Sequence, residues 1–162
     1  MLSFVTPRVG HRCLLGSMAA MVLAACSCAA DPAIVRDPPT SSIDVRGTVV
    51  TSDTGLPNDA ITIDSVRVVG DTLAAVVSHG GGCAVHSYQL VIGSAWMESF
   101  PVQVRARIAH NANGDACRAL LRRDLRMSLR PLADAYRASY RQDHGSVSIQ
   151  LSGATIALLY KF

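Results

Sequence analysis

From Ile43 onward, apolar residues recur at every second position. Ile43, Val45, Gly47 and Val49 alternate with Asp44, Arg46 and Thr48. Val102, Val104, Ala106 and Ile108 alternate with Gln103, Arg105 and Arg107. The same rhythm carries Leu125, Met127 and Leu129, and again Val147, Ile149 and Leu151. A period of two is the signature of strands with one buried and one solvated face. The stretches Ile61–Val69, Leu73–Ser78, Tyr88–Trp96 and Ala154–Phe162 are less regular but strand-like in composition. Gly70-Asp71 between Val69 and Thr72 predicts a two-residue hairpin, and Ser152-Gly153 separates the last two strands in a similar way.

One segment breaks the rhythm. Leu132, Tyr136 and Tyr140 recur every four residues behind Pro131, which suits a first helical turn because its missing N–H is unused there. Gly145 is the expected end of that helix. Ala116–Arg122 fits a second, shorter helix with Asp115 as its N-cap, or else one arm of a hairpin around Asn113-Gly114. The expected fold is mainly β: an antiparallel β-sandwich or open barrel of about 7–8 strands, with one short helix near the C-terminal third. Arginine-bearing strand faces fit soluble strands better than the lipid-facing strands of an outer-membrane barrel.

The first 42 residues follow a different logic. Arg8 and Arg12 precede an uncharged, mostly apolar run from Cys13 to Ala25. That run falls short of the roughly 20 apolar residues needed to span a bilayer, and it has the shape of an export signal. Its end, Leu23-Ala24-Ala25-Cys26, resembles the lipobox of bacterial lipoproteins. The resemblance implies cleavage after residue 25 and a diacylglycerol on the sulfur of Cys26, anchoring the chain to a membrane. Cys28 is a poorer lipid site, because Ala25 stands where a branched apolar residue belongs. By the same resemblance Ser27 favours the outer membrane in a diderm bacterium. Residues 1–25 therefore read as a lipoprotein signal, and 26–42 as a lipidated N-terminus and flexible tether. Residues 43–162 read as one mainly-β extracytoplasmic domain that resembles no particular family.

Removing residues 1–25 from 162 leaves 137, the size of a single domain. It also takes Lys+Arg from 15 to 13 against 12 acidic residues, so the mature chain is nearly neutral. Nothing in that balance supports a nucleic-acid partner. Arg105 with Arg107, and Arg123 with Arg126, are either a patch for anionic glycans or lipid headgroups or a solvated face with Asp partners.

Candidate chemistry gathers at His79-Gly-Gly-Gly-Cys-Ala-Val-His86. Cys83 and Cys117 are the two cysteines within the folded region, and in an exported protein such a pair reads first as a disulfide. The alternative is a metal site of Cys83, His86, His110 and Cys117, two thiolates and two imidazoles as zinc accepts. A thiol enzyme would use Cys83 with His86 or His110 and Asp115. Ser78 and Ser87 lack the G-x-S-x-G elbow of a serine hydrolase. The three glycines lack the following helix and lysine of a phosphate loop, and Asn111–Asp115 lacks the later Glu of a calcium loop. Trp96 and Met97 are placed at a strand end, in the core or as an exposed binding anchor. No catalytic set and no cofactor are expected. The function expected is a lipid-anchored, non-enzymatic envelope module that binds another envelope protein, a peptide or a glycan.

Overall fold

The computed structural model describes residues 42–162; the signal and the tether through residue 41, Cys26 and Cys28 included, lie outside them. Nine strands and one helix follow in order: β1 (Ile43–Val45), β2 (Gly47–Val50), β3 (Thr62–Val69), β4 (Thr72–Gly81), β5 (Ser87–Gly93), β6 (Val102–Asn111), β7 (Ala119–Ser128), α1 (Arg130–Tyr140), β8 (Ser146–Leu151) and β9 (Leu158–Lys161). They form two sheets, ordered β1-β7-β4-β3 and β2-β5-β6-β8-β9, and neither closes into a barrel. Leu73, Val77, Leu125 and Met127 of the first sheet share one core with Leu90, Ile92, Val104 and Ile149 of the second. The alternation along the chain is thus the inner face of a mainly-β sandwich. Among the described residues, no helix is long and apolar enough to cross a membrane.

The sheets are mixed rather than antiparallel. β1 runs parallel to β7, β2 to β5, and β6 to β8. Parallel partners need a crossover, and here β7 and α1 carry the chain from β6 round to β8. The run expected to be one strand, Ile43 to Val49, is split at Arg46 and supplies an edge strand to each sheet. Gly47 sits at that split. A Cβ there would come within 2.2 Å of the Ser128 carbonyl oxygen, so the close crossing of the two sheets requires glycine.

The β3–β4 hairpin forms where Gly70-Asp71 places it, with Val69 opposite Thr72. The side chain of Asp71 accepts a 2.9 Å hydrogen bond from the buried Tyr160 hydroxyl, tying β9 to this turn. Burial and the Asp71 carboxylate together raise the Tyr160 phenol well above its ordinary range. The last strand is shorter than expected, because residues 152–157 form a loop.

Helix α1 buries Leu132, Ala133 and Tyr136, with Pro131 in its first turn. It ends at Arg141, which takes a left-handed φ of 55° and donates its N–H to Arg137 O, four residues before Gly145. The second helix does not form. Ala119–Ser128 is a strand that pairs along its whole length with β4. The Asn113-Gly114 turn is present, closed by Asp115 N–H to Ala112 O at 3.0 Å, yet the strands it joins belong to different sheets.

Candidate functional site

The inward rows of three strands end in polar rings at one pole of the sandwich. On β4 the buried positions Leu73, Ala75 and Val77 lead to His79. On β6, Val104, Ala106 and Ile108 lead to His110. On β5, Ile92 and Leu90 lead back to Tyr88, which lies directly opposite His110 in the ladder. His79 is 5% exposed and His110 1%. His86 enters from the β4–β5 loop, and its side chain is as deeply covered. The His79 ring lies 4.5 Å from both the His86 and His110 rings, centroid to centroid, and Tyr88 stacks on His110.

Each histidine has one ring nitrogen tied to an oxygen outside the cluster. His79 Nδ1 donates to Gly80 O at 2.8 Å, and His110 Nδ1 to Ala60 O at 3.1 Å. His86 Nε2 donates to Asp115 Oδ2 at 3.1 Å. A carbonyl can only accept, so the first two assignments follow from chemistry. The remaining nitrogens turn inward. His79 Nε2 meets the Tyr88 hydroxyl at 2.5 Å, and His86 Nδ1 lies 2.9 Å from His110 Nε2. Burial, and then the neighbouring His79, lower the pKa of His110, favouring its neutral ring. Burial raises the Tyr88 phenol, with Arg123 opposing.

Asp115 is the keystone of the loop around this cluster. Its side chain is fully covered. Oδ2 accepts the backbone N–H groups of Gly82, Cys83 and Ala84 at 2.8–2.9 Å, and Oδ1 accepts that of Cys117 at 2.9 Å. These N–H groups, Ala84 and Cys117 foremost, hold its carboxyl well below the usual carboxylate range, with burial opposing and His86 assisting. The carboxylate is therefore the anion that the Gly-Gly-Gly-Cys-Ala loop wraps, in the place where a phosphate loop would hold its ligand. Gly81 makes the approach possible. Its φ is 140°, and a Cβ there would lie 2.6 Å from the His86 ring and 3.0 Å from Asp115 Oδ2.

Cys83 and Cys117 form a disulfide, with Cα atoms 5.9 Å apart. The bridge joins the same two loops that Asp115 joins. It removes both thiolates from the four-residue metal set and from any thiol-enzyme reading, since neither sulfur is a free nucleophile. His86 and His110 do come together, but their third partner is His79, which that set omitted. The Asp115–His86 pair is present, but the Cys83 sulfur it would serve is bonded to Cys117. Asp115 caps no helix, and its two oxygens are engaged by N–H donors rather than open to calcium. Ser78 donates to Asp64 and not to a histidine.

The other candidates are structural. Trp96 is half-buried, edge-on to Tyr136 and Tyr140, so it packs rather than presents itself. Met97 bridges to Gln103. Arg107 pairs with Asp53 at 2.8 Å and Arg126 faces Asp44 at 3.7 Å, the solvated-face arrangement. A cavity of about 430 Å³ bordered by Asp53, Arg105 and Arg107 lies away from the histidines, and its Arg107–Asp53 pair is already satisfied. A second cavity, about 340 Å³, opens directly on the cluster and is lined by Ile43, His79, His86, Tyr88, Leu121 and Arg123, among others. Val85, which also lines it, is 85% exposed and gives the cavity an apolar edge beside the polar floor.

No family model and no curated protein matches the chain. Solved structures match its fold. A NigD-like immunity protein from Bacteroides caccae superimposes with a TM-score of 0.55 at 18% identity, over 74% of this chain and 59% of that one. A candidate lipoprotein from Bacteroides fragilis gives 0.49 at 11% identity, over 74% of this chain and 69% of that one. A protein of unknown function from Bacteroides vulgatus gives 0.43 at 14% identity, over 74% and 55%. The chain thus spans about three-fifths of the length of the immunity protein. At these identities the likeness is one of fold.

Proposed function

We propose that this chain is a lipid-anchored cell-envelope protein whose β-sandwich is a non-enzymatic binding module, with the histidine-floored cavity as its binding face. The observation that carries the reading is the state of the cluster itself. It is buried, stapled by a disulfide and open to a 340 Å³ cavity with the exposed Val85 at its edge. Recognition sites combine apolar walls with a few fixed polar groups in this way. The thiol that a cysteine enzyme would need is committed to the bridge. An envelope protein, a peptide or a glycan remains the class of partner.

The anchor rests on the lipobox-like Leu23–Cys26 and on the tether behind it. A disulfide-bonded domain suits the oxidising side of a membrane. Metabolic labelling with radioactive palmitate tests it. The wild-type chain should carry label and sediment with membranes. Cys26→Ser should lose essentially all label and the membrane association. A wild-type chain without label, or a Cys26→Ser chain that keeps it, would remove the anchor from the account.

A further inference from the structure

We infer that His79, His86 and His110 form a site for one divalent transition-metal ion of the zinc type, with Asp115 as the carboxylate that orients His86. This deepens the binding-module reading and rests on it, since it assigns a ligand to the same cavity floor.

The three residues each offer a ring nitrogen, and these atoms lie within 4.8 Å of one another; that of His79 holds the Tyr88 hydroxyl, which an ion would displace. A tetrahedral zinc with bonds of about 2.0–2.1 Å holds its nitrogens roughly 3.3 Å apart, so modest ring shifts would bring the three onto one ion. Two of them are already at 2.9 Å. The outer hydrogen bonds sharpen the point. With the protons of His86 and His110 fixed on Nε2 and Nδ1, the facing nitrogens are both lone pairs. Two lone pairs at that distance repel unless a cation lies between them, either a shared proton or a metal ion. Ligating histidines commonly donate their other N–H to a carboxylate or a backbone carbonyl, which fixes the tautomer. All three do so here, to Gly80 O, Asp115 and Ala60 O.

The donor set also selects the ion. It contains imidazoles alone. The thiolates that would favour Cu(I) are bonded to each other, and the Asp115 oxygens that would favour calcium or magnesium are held by N–H groups. Neutral imidazoles suit zinc, copper(II) and nickel(II). Three protein ligands leave further positions on the ion, and the cavity that His79 and His86 line gives solvent or a partner side chain access to them.

The test uses the full chain, purified in detergent, stripped with chelator and titrated near neutral pH with Zn²⁺ against a chromophoric competitor. Co²⁺ reports the coordination number through its visible absorption. The expected result is one ion per chain and an intense four-coordinate Co²⁺ spectrum. His79→Gln and His110→Gln should each weaken Zn²⁺ binding by about 100-fold or more. His144→Gln, at an exposed position outside the cluster, should leave it unchanged. Circular dichroism and a count of free thiols establish that each variant is folded and bridged. Absence of stoichiometric Zn²⁺ binding by the wild-type chain overturns the inference, as does binding that survives in both cluster variants. A chain that carries palmitate and binds no zinc loses the metal site and keeps the anchor. A chain that binds zinc and carries no lipid does the reverse.

Discussion

Replacing both Cys83 and Cys117 with serine should lower the unfolding free energy of the exported protein by about 4 kcal/mol. The bridge closes a separation of 34 residues, and the chain-entropy cost of a loop that long sets the magnitude. That is a large share of the ~5–15 kcal/mol by which a domain of this size is stable. Denaturant titration of both forms measures it. The loss should also be local in its first signs. Cys83 and Cys117 flank the loop held by Asp115, so the amides of Gly82, Cys83 and Ala84 should lose hydrogen-exchange protection before the core strands do. A double-serine variant as stable as the wild type would mean that the bridge constrains little.

Gly81→Ala should cost about 2–4 kcal/mol, although it adds one methyl group. Two penalties combine: a left-handed φ that a Cβ disfavours and an overpacked contact, each worth roughly 1–3 kcal/mol. The new Cβ would lie 2.6 Å from a His86 ring that is covered and stacked on His79 and so cannot swing clear. The same change should separate His86 from Asp115. Gly80→Ala is the comparison, because a Cβ at Gly80 meets nothing within 4 Å. It should change stability by under about 1 kcal/mol, as surface substitutions usually do. Equal effects at the two positions would contradict the packing described around His86.

Much of the sandwich was legible because strand burial writes itself into sequence at every second residue. The hairpin at Gly70-Asp71 and the helix behind Pro131 were legible for the same local reasons. Pairing between distant strands was not. Nothing in Ile43–Val49 marks Arg46 as the point where the chain leaves one sheet for the other, because the alternation continues through it. The segment Ala116–Arg122 carries good helix formers, Ala119, Leu120 and Leu121 among them. Its pairing with β4, His79 opposite Leu121 and Gly80 opposite Leu120, overrides that propensity. The helix stops at Arg141 rather than Gly145 because a non-glycine residue takes the left-handed position there.

The site was half legible. The Cys83–Cys117 pairing and the proximity of His86 and His110 could be weighed from residue types alone. Residue type and spacing alone do not single out His79, yet the sequence carries a signal for it. It stands in phase with Leu73, Ala75 and Val77, just as His110 stands in phase with Val104, Ala106 and Ile108. Extending each inward row by one step points both rings into the same end of the core. The role of Asp115 had no such signal. Its partners Gly82 to Ala84 lie 31–33 residues away, and only the folded chain brings their amides to one carboxylate.

The central claim is that the pole of this sandwich holds a preorganised set of imidazoles whose outer nitrogens are tied to fixed oxygens and whose inner nitrogens meet one another or the Tyr88 hydroxyl. The most direct measurement is a long-range proton–nitrogen correlation spectrum of the histidine rings in the metal-free, isotope-labelled chain near neutral pH. The account predicts protons on Nδ1 of His79 and His110 and on Nε2 of His86, with a further proton shared between His86 Nδ1 and His110 Nε2 in the absence of metal, all protected from solvent, while the exposed His144 shows a solvent-averaged tautomer mixture. If all of these rings show the same solvent-averaged tautomer mixture as His144, there is no fixed cluster, and neither the binding face nor the metal site stands.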